Sequence, residues 1–378
     1  MSKFGFFILL LSVGCGSPQK EKFGLQGQPT ITLDTVIVDA GDEILFPYLS
    51  SAASFFTSDR RYLYNFNQFD HNLEKIDLEE LKLYKKIPFE KEGPNGTGEY
   101  VDYLVPLDSG KLLVQASNRA GIFNFDGEKI GQFDPLLEGK SKMDFERKVF
   151  QPAVAQNELI FGRVSNNSAN SSEVGYYDRT LEEFSTLTLA DAFRHADFNL
   201  KLTIGNTRRV TSPDFTLQPF YTKNKMIVGS TVSSSLFVFD SEIQQLVKKE
   251  YNLASTANEK KGIYNLDTDD EATFQREYVA LNEEVTFGPL FLDAGNKRYY
   301  RFFYSFSYTG EYPKGGFPEP NSTAVYLMIL DKELNLVDEF PVSQLTWVPY
   351  FSFVKDGSIW IFVNINDELA FVRMSIDI

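Results

Sequence analysis

The sequence predicts an all-β fold: a six-bladed β-propeller of four-stranded antiparallel blades, its last blade closed by an N-terminal strand. Three observations carry this. A short apolar stretch ending in Asp recurs six times, at residues 73–77 (LEKID), 122–126 (IFNFD), 174–178 (VGYYD), 236–240 (LFVFD), 325–331 (VYLMILD) and 371–377 (FVRMSID). The Asp residues stand 49, 52, 62, 91 and 46 apart. Ahead of each stretch stand two apolar runs around a turn, again six times. Aromatic residues make up 15% of the 378 (35 Phe, 19 Tyr, 2 Trp), which favours strands and suits wedge-shaped contacts between sheets.

The paired runs are residues 54–57 with 62–66, 102–107 with 112–116, 150–155 with 159–163, 215–221 with 226–230, 287–292 with 298–306, and 348–354 with 359–363. Each pair flanks Asp, Asn or Gly, the residues of tight turns. The Asp closing the following stretch fits the next turn, where its carboxylate accepts backbone N–H groups. Each unit thus reads as strand, turn, strand, loop, strand, Asp turn, strand. One such meander buries a single face and leaves open edges; a ring of them solves both problems. The sixth unit runs out at Asp377 before its fourth strand, and residues 31–39 (ITLDTVIVD) form a strand with no unit of their own, so this strand is expected to complete the last blade. Three stretches break the rhythm: 189–213, the helix-like and acidic 252–286, and the Gly- and Pro-rich 307–323. Long loops on a rigid scaffold are where function tends to sit.

The start of the chain reads as an address. Residues 4–13 (FGFFILLLSV) form an uncharged stretch of ten, the length of a signal-peptide core and too short to span a bilayer. The chain's one Cys follows in Ser12-Val13-Gly14-Cys15 and resembles a bacterial lipobox, with Ser12 where Leu is usual and Leu11 one place further back. Residues 1–14 are therefore expected to be a lipoprotein signal peptide, Cys15 the lipidated residue, 15–30 a polar tether and 31–378 one propeller domain. Several acyl chains give a stable anchor. No acidic run follows Cys15, which points to an outer-membrane anchor facing the periplasm.

Composition narrows the partners. With 37 Lys and Arg against 52 Asp and Glu, the net charge is −15 and the pI about 4.8, so nucleic acid is not an expected partner. One Cys and two His leave no disulfide framework, no Cys-based zinc site and no multi-histidine metal centre. No cofactor fingerprint, nucleophile elbow or zinc-protease motif is present.

Residues 39–45 (DAGDEIL), 62–67 (YLYNFN), 76–83 (IDLEELKL) and 90–98 (EKEGPNGTG) resemble an uncharacterised group of Bacteroidota lipoproteins, the domain of unknown function 4221. The resemblance is densest over 31–105. It implies a propeller-like fold and an envelope location and carries no activity or catalytic residue.

The candidate site residues come from loops. If the connections entering each blade and those between second and third strands share one face, Asn67, Asn118, Arg119, Asn166, Asn364 and Asn366 lie near one rim. His71 beside Asp70 is a candidate acid–base pair. Arg194 and His195, with Arg208 and Arg209, are the main cationic cluster and suit a carboxylate or phosphate. The Gly-rich stretch 92–98 reads first as a tight inter-blade turn and second as a backbone that approaches a ligand closely. The carboxylates of 267–271 (DTDDE) offer hard oxygens for Ca²⁺ but lack the Gly of an EF-hand loop. The expected function is a lipid-anchored envelope module that binds a peptide, glycan or envelope protein. The alternative is a calcium-assisted, lactonase-like hydrolase on the same scaffold.

Overall fold

The computed structural model describes residues 29–107, 110–116, 119–133, 148–166, 171–189, 191–222, 224–264, 266–309 and 315–377. Cys15, the signal stretch, most of the tether and Asn118 lie outside the described residues. So does the side chain of Asn166.

The chain opens with β1 (Thr30–Ile37) and then forms six four-stranded antiparallel sheets. The first holds β2 (Ser54–Phe56), β3 (Tyr62–Asn67), β4 (Asn72–Asp77) and β5 (Lys82–Pro88). The second holds β6 (Tyr103–Leu107), β7 (Lys111–Ala116), β8 (Arg119–Asn124) and β9 (Lys129–Gln132). The third holds β10 (Lys148–Gln156), β11 (Leu159–Asn166), β12 (Ser171–Asp178) and β13 (Glu183–Leu187). A hairpin, β14 (Leu200–Ile204) and β15 (Thr207–Thr211), precedes the fourth sheet: β16 (Phe215–Pro219), β17 (Lys225–Ser230), β18 (Ser233–Asp240) and β19 (Gln245–Lys249). Then come β20 (Leu266–Thr268) and helix α1 (Glu271–Glu283). The fifth sheet holds β21 (Thr286–Asp293), β22 (Arg298–Ser307), β23 (Ser322–Leu330) and β24 (Leu336–Pro341). The sixth has β25 (Ser352–Lys355), β26 (Ser358–Ile365) and β27 (Glu368–Asp377). Its fourth strand is β1, paired antiparallel to β27 from Thr30↔Asp377 to Ile37↔Ala370.

Burial explains the strand sequences. Central strands are apolar on both faces because a sheet packs on either side: Leu63 and Phe66 point opposite ways in β3, and both are fully buried. The outermost strands are exposed and charged, as in β5 with Lys82 and Lys85 and β19 with Lys248, which discourages edge-to-edge pairing. Six apolar clusters follow the sheets in turn. Phe66 and Leu73 of the first meet Leu104 and Phe123 of the second. Val105 meets Phe150 of the third, and Phe161 meets Met226 of the fourth. Ile227 meets Phe287 of the fifth, and Phe302 meets Ile361 of the sixth. Finally Phe353, Trp360 and Phe371 of the sixth sheet pack on Leu63 and Ile76 of the first.

The Asp turns form as the sequence predicts in four units. Asp77, Asp178, Asp240 and Asp331 each accept two backbone N–H groups just downstream. The second unit corrects the expectation: β8 ends at Asn124, whose Oδ1 accepts from Asp126 N and Glu128 N, so Asn124 and not Asp126 makes the turn. Asp377 makes no turn and pairs with Thr30.

Because every sheet is a meander, connections between sheets and those between second and third strands emerge at one end. The other end carries short turns. All three irregular stretches therefore gather at the loop-bearing end. The hairpin β14–β15 joins β20 in a three-stranded sheet, with β14 and β20 parallel. Helix α1 fulfils the helical expectation for 252–286. Asp270 caps it by accepting from Thr273 N at 2.9 Å, and Phe274 and Leu281 anchor it in the core between the third and fourth sheets.

Candidate functional site

The site is built where the sixth and first sheets meet at the loop-bearing end. Leu63 and Ile76 fill this wedge lower down, but above them β3 and β4 turn polar, with Asn65, Asn67 and Glu74 all buried. These side chains hold a loop. Glu74 is fully buried and accepts from Phe46 N at 3.0 and 3.2 Å and from Asn67 Nδ2 at 2.9 Å. Burial raises its carboxyl above the usual value, while the bonds from Asn67 and Phe46 pull the other way. Asn65 Nδ2 donates to the carbonyls of Phe46 and Tyr48 at 3.3 and 3.2 Å, and Asn364 Nδ2 of β26 donates to Pro47 O at 3.1 Å. Two sheets thus grip Phe46, Pro47 and Tyr48, and Tyr48 is 59% exposed.

A cavity of about 840 Å³ opens beside this loop, lined chiefly by Tyr48, Trp347, Tyr350, Phe351, Phe362 and Asn364, with Thr35 of β1 also contributing. Tyr350 is 74% exposed. The protein packed around its hydroxyl pushes its pKa up, and the neighbouring Tyr48 phenol adds to this. The Trp347 indole N–H is buried and has no acceptor among the described residues. Asn364 has both ends engaged, since its Oδ1 also accepts from Asp367 N at 3.0 Å. What this wall offers a ligand is aromatic area. Exposed Ile44 and Phe69 extend the apolar surface next to it, with Phe46 edge-on to Phe69 at 5.5 Å.

Of the residues expected from sequence, only Asn364 lines this cavity. Asn366 sits nearby with φ 53°, a turn position. Asn67 is spent on Glu74. Asp70 and His71 do not pair: Asp70 takes Lys86 Nζ at 3.1 Å, while His71 Nε2 meets Thr97 Oγ1 at 2.8 Å. Burial lowers the His71 pKa, and Lys91 adds to this. The cationic cluster disperses. Arg194 pairs with Asp197 at 2.7 Å and covers Phe198. His195 is buried against Phe193 and Phe215 with Nε2 at 2.5 Å from Ser230 Oγ, and burial, helped by Arg163, lowers its pKa to about 4. Arg209 pairs with Glu271 and lies over Phe274. The acidic run is spent likewise: Asp267 pairs with Lys201, Asp270 caps α1 and Glu271 holds Arg209. Among the described residues no three His, Cys, Asp or Glu side chains gather into a set able to hold a metal ion. Arg119 begins β8 in another cleft, between the connection 93–97 and the second sheet.

Sequence reasoning missed Tyr48, Trp347, Tyr350 and Phe362. A signal was present: Pro47-Tyr48 and Pro349-Tyr350 repeat one dipeptide in the connections leading into the first and sixth sheets.

The model of the family described as domain of unknown function DUF4221 matches residues 29–341. A crystal structure of a DUF4221 member from Bacteroides vulgatus superposes with a TM-score of 0.65 at 17% identity, covering 92% of this chain and 98% of that one. The likeness at that identity is one of fold. The β-propeller domain of Cps50 (Swd1) from Myceliophteria thermophila gives a TM-score of 0.40 at 9% identity, covering 91% of this chain and 99% of the other. Regucalcin, a calcium-binding protein from Agrobacterium tumefaciens, gives 0.41 at 8% identity, covering 85% and 88%. No curated protein matches the sequence. The fold is all-β and propeller-like, and the chain belongs to the DUF4221 family, a domain of unknown function.

Proposed function

We propose that this protein is a six-bladed propeller, closed by β1 and held in the cell envelope through lipidated Cys15 facing the periplasm. Its aromatic cavity takes an apolar or aromatic segment of a peptide or envelope protein. Closure is supported by the β1–β27 ladder and by the apolar cluster joining the last sheet to the first. The observation that carries the binding function is the cavity of about 840 Å³ lined by Tyr48, Trp347, Tyr350, Phe351 and Phe362 at the end where every long connection gathers. A glycan would need many polar partners for its hydroxyls; this wall offers few. A peptide offers apolar and aromatic side chains for this surface.

The test is selection from a displayed hexapeptide library on the purified chain. Retained peptides should be rich in Phe, Tyr, Trp and Leu and should shift the emission of Trp347, a shift that Trp347→Phe removes. Tyr48→Ala and Tyr350→Ala, both exposed positions, should each weaken binding about tenfold or more. Retained peptides that bind these variants as well as the parent would overturn the proposal. Lipidation is checked by mass spectrometry of the mature N-terminus, where an unmodified Cys15 or a cut elsewhere contradicts it.

A further inference from the structure

A second cleft lies between the Gly-rich connection and the second sheet, separate from the aromatic cavity. It measures about 350 Å³ and is lined by Gly93, Gly96 and Thr97 of the Gly-rich connection and by Arg119, Lys129 and Gln132 of the second sheet, with apolar neighbours. Acids outnumber bases 52 to 37 in this chain, yet among the described residues the lining holds two cations and no carboxylate. Glu90 and Glu92 belong to the same connection but do not line the cleft.

The cleft is built by its sequence. A Cβ on Gly96 would come within 2.8 Å of the Glu92 backbone, so only glycine lets the connection fold this tightly. Asn95 Oδ1 accepts from Lys129 N at 3.2 Å and ties the connection to β9. Behind it, Thr97 Oγ1 meets His71 Nε2 at 2.8 Å and Glu90 O at 3.3 Å. His71 therefore braces the connection from below. A Cβ on Gly121 would sit 2.7 Å from Lys129 Cε, so the bare backbone there leaves room for the lysine stem to lie across β8. The Arg119 side chain is exposed, its backbone pairs with Ala116 in the β7–β8 ladder, and its guanidinium makes no ion pair or hydrogen bond to another described residue.

We propose that this cleft is an oxyanion site, in which Arg119 and Lys129 receive a phosphate or carboxylate group of a small ligand. A planar guanidinium fork and a point ammonium lining one cleft, with an amide from Gln132, is the donor set such a group needs. The Gly-rich backbone allows the ligand a close approach.

The test is calorimetric titration of the full chain with inorganic phosphate, and separately with acetate, each against chloride at constant ionic strength. Saturable binding of one equivalent is expected. Phosphate alone would assign a tetrahedral oxyanion; both probes would assign oxyanions generally. Arg119→Glu, at an exposed position, should weaken binding at least tenfold, and Lys129→Met, which keeps the stem, by a similar factor. Tyr350→Ala, in the other cavity, should leave binding unchanged, and unaltered melting temperatures check that the variants fold. No saturable heat with either probe, or binding that both cation variants retain, overturns the proposal.

Discussion

Three buried side chains decide how individual residues report on this molecule. His195 titrates at about 4 in the fold and near 6.5 when unfolded. Below pH 6.5 the unfolded chain takes up a proton that the fold refuses, so the contribution of His195 to stability falls as pH drops from 6.5 towards 4. The loss amounts to roughly 3 kcal/mol. Urea unfolding across that window should show this slope, and His195→Gln should flatten it; an unchanged slope would place the titration elsewhere. Glu74 has another task. Glu74→Ala leaves Phe46 N–H without its acceptor and the Asn67 amide with only the longer bond to Asp70 Oδ2 at 3.4 Å, which should cost about 2 kcal/mol. The same change should speed hydrogen exchange at Phe46 while distant amides stay protected. Arg301 is fully buried, donates to the carbonyls of Gly288, Ser234 and Ser230 at 2.8–3.0 Å, and is lowered to about 9 by burial. It clips the fifth sheet to the fourth, and Arg301→Leu should cost on the order of 3 kcal/mol by orphaning those carbonyls. Equilibrium denaturation reads this directly.

At the scale of elements, the repeating strands of the six sheets were legible in the sequence, whereas the hairpin β14–β15, β20 and the site were not. Apolar runs closed by Asp mark strand ends because a carboxylate there captures two backbone N–H groups, as at Asp77 and Asp331. Where two residues compete for that role the reading slips: Asn124 lies two positions ahead of Asp126 and takes the turn first. Side-chain direction in loops carries no such periodic mark. Arg194, His195 and Arg209 look like one cluster along the chain, yet each is spent on its own internal partner. Tyr48 and Tyr64 are the same residue type, one on a rim and one in the core, and composition cannot separate them. What distinguishes Tyr48 is a loop gripped by Asn65, Glu74 and Asn364 from two sheets, a fact of tertiary contact. β1 makes its own prediction as an element. A chain begun at residue 39 would expose the edge of β27, so it should unfold at lower urea and associate in sedimentation velocity.

For the whole molecule, the order of the apolar clusters matters most. Each joins one sheet to the next, and the last returns to the first. The cavity at that junction needs contributions from both ends of the chain: Thr35 of β1, Tyr48 before the first sheet and Tyr350 before the sixth. The most direct test of the closed ring is a cross-link between those ends. Thr35 and Val372 are paired across β1 and β27. With Cys15→Ser removing the native thiol, Thr35→Cys with Val372→Cys should oxidise to an intramolecular disulfide, found by mass spectrometry of monomeric protein, and should raise the melting temperature. Free thiols, or disulfides found only between molecules, would contradict the closed ring and the cavity built on it.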